Sequence, residues 1–381
     1  MITNHKPLDM VIEVGDIHAG MYSNSYERFD TVKAFFLEQL LPKIKQLKEE
    51  NPNRNVTLLL LGDTFDIKQQ ISIVIQCAIL QIFESIAEFV DIYVIVGNHD
   101  MPIADNPNIN SVKTLSYMPG IHLVDHVTEL MNVNGGLHVL IPFTNTKEKE
   151  LELIRPYEDK HAILHMHTEI AGFHYEGVPV DHSKHNHIND FIKFKRVRSG
   201  HIHKRQEINN ILFTGTPYHI RKGEDGNDTG YYICDYKNDT EIYIENRISP
   251  RYITVDYEFF REMEFEDAKQ LISNNYVDVK TPYALTNPVE KIELIDKYAQ
   301  FARVFEFSSR KPTDIKIDNL IGTSGVEIKP ISIQSTIKSF FEETNSFKAQ
   351  KNLYIVTEEE KKALEDRILK SYETHKLTEI A

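Results

Sequence analysis

Cysteine is scarce. The chain has two in 381 residues, Cys77 and Cys234, in unrelated contexts. A disulfide framework is therefore not expected, and a reducing cytoplasm is the default setting. Long apolar runs are missing as well. The most apolar stretch, "ISIVIQCAIL" from Ile71 to Leu80, falls short of the ~18 residues that a membrane helix needs. The opening "MITNHKPLDMVIEV" lacks a basic segment followed by a long apolar one, so no signal peptide and no membrane partner are expected. Positive charge is in deficit too, with 43 Lys/Arg against 57 Asp/Glu and a net charge of −14. Taken alone, that argues against nucleic acid, but net charge misleads where charge is segregated. From Lys184 to Lys222 nine Lys/Arg stand against Asp190 and Glu207, a local balance of +7. Within that stripe Lys195, Arg196, Arg198, Lys204 and Arg205 are candidate contacts to a polyanion. A solvated face explains the stripe equally well.

What is present reads as a globular protein of two or three domains, 41% hydrophobic and 26% charged. Up to about residue 220, short apolar runs alternate with helical patterns, which predicts an α/β layered domain. The runs are "MVIEV", "TLLLL", "IYVIV", "HVLI", "AILHM" and "ILFTG". Val32, Phe36, Leu40, Ile44 and Leu47 keep helical spacing, with Pro42 as the place where that helix would divide. Ile71, Ile75, Ile79, Ile82, Ile86 and Phe89 form a second helical stripe. Ile73, Val74 and Phe83 lie off it and predict a surface covered by a second copy of the chain. After residue 240, "EIYIENRISPRYITVDY" and "ARVFEFSS" alternate as strands do. The expected division is 1–249, then a smaller α+β domain over 250–330, then paired helices over 331–381. The last pair carries Ile333, Ile337, Phe340 and Phe341 on one face. A capping box of Thr357 and Glu360 precedes Leu364, Ile368 and Tyr372.

Polar residues gather where the apolar runs end. "GDIHAG" brings Asp16 and His18, "GDTFD" brings Asp63 and Asp66, and "GNHD" brings Asn98, His99 and Asp100. "AILHM" leads to His167, and "SGHIH" supplies His201 and His203. Singly, each has an ordinary explanation as turn chemistry or a hydrogen-bonded histidine. Independent turns give no reason for Asp, Asn and His to recur at five strand ends, where α/β sheets bind ligands. Carboxylate, amide and imidazole without thiolate suit Mn²⁺, Mg²⁺, Fe²⁺ or Zn²⁺. Seven candidate ligands are too many for one ion with open positions, so two ions are expected. Such a pair activates water and stabilises both oxygens of a phosphoryl displacement.

In this order and spacing, "DIH", "GDTFD", "GNHD" and "GHIH" resemble the calcineurin-like metallophosphoesterases. "GDTFD" before a long apolar helix resembles the SbcD-type repair nucleases within them. "SGHIHKRQEINNILFTGTPYHI" is similar to the small subunits of phage recombination endonucleases. The resemblance implies a metallophosphoesterase β-sandwich flanked by helices, with a smaller α+β DNA-capping domain and a C-terminal helical segment. It implies that Asp16, His18 and His203 bind one ion and Asn98, His167 and His201 a second, with Asp63 between them. His99 would aid the leaving group, while Asp66 and Asp100 would orient ligands. Two departures stand out. "KFKRVRSG" replaces the more apolar run usual before "GHIH", and His165 competes with His167, which is favoured because "HTEIAG" keeps the family's spacing.

The implied activity is a manganese-dependent nuclease, with magnesium as the alternative ion, acting in DNA recombination, repair and replication. It would degrade DNA 3′ to 5′ and cut single strands or hairpins in the cytoplasm, the host's if the source is a phage. The implied partners are DNA, a second copy of the chain, and an SbcC-type ABC ATPase. The base of the ATPase's coiled coil would seat on Ile337, Phe340, Phe341, Leu364, Ile368 and Tyr372. The competing readings are a phosphatase or phosphodiesterase for small or protein substrates, and a DNA tether with a vestigial site. The full ligand set disfavours the tether.

Overall fold

All six apolar runs become strands, because each is bounded by turn residues and too short for a buried helix. The computed structural model describes residues 5–309, apart from 105, 176 and 282–287. The expected helices after residue 331, with their ATPase-contact residues, lie outside the described residues.

The long strands are β1 (Met10–Val14), β2 (Val56–Leu60), β3 (Asp91–Ile95), β4 (Ile121–Val124), β5 (Thr128–Met131), β6 (Leu137–Ile141) and β7 (Ile163–His167). They continue with β8 (Arg196–Gly200), β9 (Gln206–Ile208), β10 (Ile211–Phe213), β11 (Gly230–Asp235) and β12 (Thr240–Glu245). Two six-stranded mixed sheets result, ordered β12-β11-β1-β2-β3-β4 and β9-β10-β8-β7-β6-β5. β1 to β4 pair in parallel, as do β6, β7, β8 and β10. Parallel neighbours bring their carboxyl ends to one edge of each sheet, and the polar motifs follow those ends.

Alternation decides which layer each side chain enters. From β1, Met10, Ile12 and Val14 pack under the helices, while Val11 joins Leu59, Ile95, Leu140 and Leu212 between the sheets. The far face of the second sheet has its own core around Leu164, Met166, Val197 and Phe213.

Pro42 does not divide its helix. Helical backbone runs from Tyr26 to Glu50, with a π-helical segment at Ala34–Leu40 and Pro42 at the start of Leu41–Glu50. A π segment shifts the bonding to i→i+5 just where proline has no N–H to donate. The expectation for Phe83 is corrected as well. Within Ile73–Ala87 it is fully buried, its ring 5.5 Å from that of Phe36, so it is unavailable to a second copy. Ile73 and Val74 remain exposed, at 76% and 60%.

The chain divides into two compact units, Met1–Val279 with Phe301–Glu306 and Lys280–Gln300 with Phe307–Ala381. The first runs past the expected boundary at residue 249. Arg28 lies 3.3 Å from the centroid of the Tyr276 ring, and the Thr31 and Tyr276 hydroxyls are 3.1 Å apart. Helix Pro288–Tyr298 belongs to the second unit.

One buried acid helps hold the edge of the second sheet. Glu150, on the helix Lys147–Ile154, bonds the Thr168 hydroxyl just past β7 and accepts from Asn186 Nδ2 at 2.5 Å. Burial pushes its carboxyl up to about 7. The unfolded chain releases that proton near 4.5. Glu150 therefore supports folding fully below that pH, and its contribution is lost as the pH rises toward 7. Glu150→Gln, whose oxygen can accept from Asn186 while its amide N–H donates to the Thr168 hydroxyl, is expected to flatten this part of the stability curve and to stabilise the chain at pH 8. The gain should be at most ~3 kcal/mol. Urea unfolding of both chains at pH 5 and pH 8 measures it, and an unchanged slope in the variant would contradict the assignment.

Candidate metal centre

The strand-end motifs converge on one crevice of about 390 Å³, lined by His18, Asp63, Asp66, His99, His201 and His203. Met21, Tyr22, Tyr175, Ile220 and Arg221 complete its walls. The loops reach it through strained backbone. His18, Asp63 and His201 have φ of 48°, 48° and 83°, the left-handed region that costs an L side chain roughly 1 kcal/mol or more. Gly62, at φ 101°, precedes Asp63 and lies where a Cβ would come within 2.2 Å of His167 Nδ1. A Cβ on Gly97 would likewise meet Asp63 Oδ1 at 2.2 Å. Both glycines are needed for the loops to close this tightly.

Two groups of ligand-type atoms form around Asp63. In one, His18 Nε2 and His203 Nε2 face each other at 3.2 Å, and Asp16 lies within reach of both rings. In the other, Asn98 Oδ1 is 2.9 Å from His167 Nε2 and 2.8 Å from His201 Nδ1. Asp63 Oδ2 lies 3.6 Å from His18 Nε2 and 3.2 Å from His167 Nε2. Asp16 Oδ1 accepts from the His201 backbone N–H at 2.9 Å and so ties the groups together.

The remote nitrogen of each ring is already engaged. His18 Nδ1 is 2.9 Å from Asp66 Oδ1, and His203 Nδ1 is 2.6 Å from Glu224 Oε1. His167 Nδ1 is 2.7 Å from the Leu61 carbonyl, and His201 Nε2 is 2.9 Å from Glu169 Oε1. Each partner accepts, so each ring carries its hydrogen outward in the neutral state and turns a lone pair inward. Four inward lone pairs beside buried Asp16 and Asp63 make an electron-rich hollow. Among the described residues, the ion pairs of these two aspartates are all with histidines. Hard-to-borderline divalent cations match this donor set. Without one, protons carry the compensation. Burial lowers His167, but the Asp63 charge lifts it to about 9. Burial raises Asp63, yet His167, then His18 and His99, hold it well below the usual carboxylate range.

His99 sits at the crevice wall. Its Nδ1 is 2.7 Å from the Asp66 carbonyl, leaving Nε2 toward the crevice, and its backbone N–H donates to Asp63 Oδ1 at 2.7 Å. Its ring centroid is 4.8 Å from that of His18, so it too is within ligand reach of His18 and Asp63. Asp100 accepts from Thr64, Phe65 and Gly97 N–H at 3.3, 3.1 and 3.0 Å and joins two loops. Burial, then the Asp63 charge, pushes it up to about 7.

The structure separates His165 from His167. Both point between the sheets, but His165 lies two residues, roughly 7 Å, farther from the crevice. There it meets His138 at 2.9 Å and Glu13 at 3.4 Å. The basic stripe is also corrected. Arg198 is buried between the sheets, paired with Glu13 and Glu241 over the Tyr232 ring, and cannot reach a DNA backbone. Arg196 pairs with Glu207 and Glu241, and Arg205 with Asp228. Lys195 and Arg196 line a cavity of about 320 Å³ with Glu207, Asp235, Asp239 and Glu241, at the end of β8 remote from the crevice. Acids distant in sequence thus neutralise much of the stripe. Lys204 is exposed, next to His203.

Glu169, Glu224 and Tyr175 were missing from the sequence reading. Glu169 is two residues beyond His167, a spacing that could have been noticed. Glu224 is 21 residues beyond His203, and only the turn through Gly223 brings it there.

The sandwich, with ligand-type side chains at the carboxyl ends of parallel strands, defines a phosphoester hydrolase of the metal-dependent kind. The model of the calcineurin-like phosphoesterases matches residues 10–205, and the chain belongs to that family. It is 24% identical over 267 residues to exonuclease subunit 1 of Enterobacteria phage T4, covering 68% of this chain and 74% of that one. An archaeal phosphodiesterase of solved structure aligns with 62% of this chain and 99% of its own, at 14% identity and a TM-score of 0.30. Among the described residues no helix is long and apolar enough to cross a membrane.

Proposed function

We propose that this chain is a two-metal DNA phosphodiesterase, the nuclease subunit of a recombination and repair complex that includes an ABC-type ATPase. The observation that carries the reading is the set of four imidazoles held by outward partners with their lone pairs converging beside Asp63. Similarity to a phage protein named as an exonuclease subunit supports DNA as the substrate. In this reading Asp16, His18 and His203 hold one divalent ion, Asn98, His167 and His201 the other, and Asp63 contributes to both. When bound, such ions neutralise a phosphodiester and lower the pKa of water, and manganese suits this mixture of oxygen and nitrogen donors.

The chain's own residues supply the rest. Asp66, Glu224, Glu169 and the Leu61 carbonyl keep the rings turned inward, so little reorganisation accompanies the reaction. His99, fixed through Nδ1, presents Nε2 as the atom that delivers a proton to the leaving oxygen. Of the candidate contacts in the stripe, Lys204 stays exposed beside His203 and serves the DNA backbone. Residues 250–330 cap the DNA, and Ile73 and Val74 belong to a contact between two copies.

The test is cleavage by the purified chain of linear, hairpin and single-stranded DNA with Mn²⁺ or Mg²⁺, beside p-nitrophenyl and bis-p-nitrophenyl phosphate. DNA is expected to be shortened 3′ to 5′ in Mn²⁺. Turnover of p-nitrophenyl phosphate with intact DNA would replace the nuclease by a phosphatase. Truncation before Ile331 is expected to leave this basal cleavage and to remove ATPase binding. Co-purification of the truncated chain with the ATPase would place the main contact elsewhere.

A further inference from the structure

The outer partners of the two groups are not equivalent. His18 and His203 are each backed by a carboxylate, and Glu224 is buried and fixed by Ile220 and Arg221 N–H at 2.6 and 3.3 Å. In the second group the hydrogen-bond partner behind His167 is a carbonyl, and the carboxylate behind the group is Glu169, on His201. Glu169 is partly exposed, with 22% of its side chain accessible. Its other oxygen, Oε2, is 3.0 Å from His185 Nε2, on a segment that β7 and β8 do not include.

That segment is built to hold His185 still. The Asp181 carbonyl accepts from Lys184 and His185 N–H at 3.2 Å each, and Asp181 Oδ1 accepts from Ser183 N–H at 2.9 Å. Asn186 Nδ2 bonds the Lys147 carbonyl at 3.0 Å as well as Glu150. The position of His185 is thereby transmitted to Oε2 of Glu169, and through Oε1 to the His201 ring.

We propose that Glu169 and His185 are positioning residues that set the affinity of the Asn98–His167–His201 group for its divalent ion, from outside that group. Both oxygens of Glu169 are used, one on the ring and one on the loop. Loss of His185 removes the hold on Oε2 from the loop, leaving the carboxylate to His201 and the Tyr175 hydroxyl and the His201 lone pair less well aimed. The clamp touches only this group, so the two ions differ in their dependence on it. The proposal rests on the two-ion reading above.

The experiment is calorimetric titration of the full metal-free chain with MnCl₂, paired with Mn²⁺ electron paramagnetic resonance. The wild type is expected to take up two ions and show a spin-coupled pair. Glu169→Ala and His185→Ala should each weaken one ion by about 10–100-fold and leave the other unchanged. At one equivalent both should show an uncoupled six-line spectrum, with the metal-free melting temperature near that of the wild type. The double variant should be no weaker than Glu169→Ala, because His185 acts through Glu169. His185→Gln, able to donate an amide N–H to the carboxylate, should restore binding. Equal weakening of both ions, additive losses in the double variant, or wild-type affinity in His185→Ala would overturn the clamp. A wild-type chain that binds no Mn²⁺ would overturn the two-ion reading and the clamp with it.

Discussion

Asp63→Asn is expected to cost about 10³-fold or more in cleavage rate while leaving the fold intact. Two-metal stabilisation of a phosphoryl displacement amounts to several kcal/mol, and each 1.4 kcal/mol is tenfold in rate. Asp63 Oδ2 lies within 3.6 Å of imidazole nitrogens from both groups, so removing its charge weakens both sites at once. The fold should tolerate the change for three reasons. Asparagine accepts a φ of 48° at least as well as aspartate does. Its Oδ1 can keep the bond from the His99 N–H. Burial of a neutral amide also costs less than burial of a carboxylate. Cleavage rate, Mn²⁺ stoichiometry and melting temperature, measured on one preparation, test all three parts. Two tightly bound ions and a wild-type rate in the variant would remove Asp63 from the centre.

His99→Ala separates chemistry from metal binding. Proton delivery in the transition state contributes about 10²–10⁴-fold, so a loss of that size is expected, with both ions retained. His99 is the member of the cluster for which geometry leaves two roles open, since Nε2 faces the crevice and also lies within ligand reach of His18 and Asp63. Loss of one Mn²⁺ in the variant would make it a ligand. An unchanged rate would leave it neither role.

Much of the site was legible because its members sit at fixed offsets from strand ends. A five-residue apolar run has to stop at a turn, and the residues of that turn are local facts of sequence. Parallel neighbours then carry Asp16, Asp63, Asn98, His167 and His201 to one edge without further information. The sandwich core was legible for the same reason, since alternation with period two assigns each apolar side chain to a layer.

What could not be read depended on distance across the fold rather than along the chain. The charges near Arg198 look free in sequence, yet Glu13 and Glu241 reach it from the opposite sheet and turn a suspected DNA contact into a buried ion pair. Phe83 lies off its helix's main stripe, but Phe36 covers it from a second helix. His165 and His167 share a face and differ only in depth, which no periodicity records. Glu224 and His185 sit on turns closed by local hydrogen bonds, but only the tertiary fold carries those turns to His203 and Glu169. Sequence alone thus determined which residues stand at the strand ends. Only the packing of one sheet on the other decided which charges are neutralised and which rings are held with their lone pairs inward, because burial and pairing depend on neighbours far along the chain.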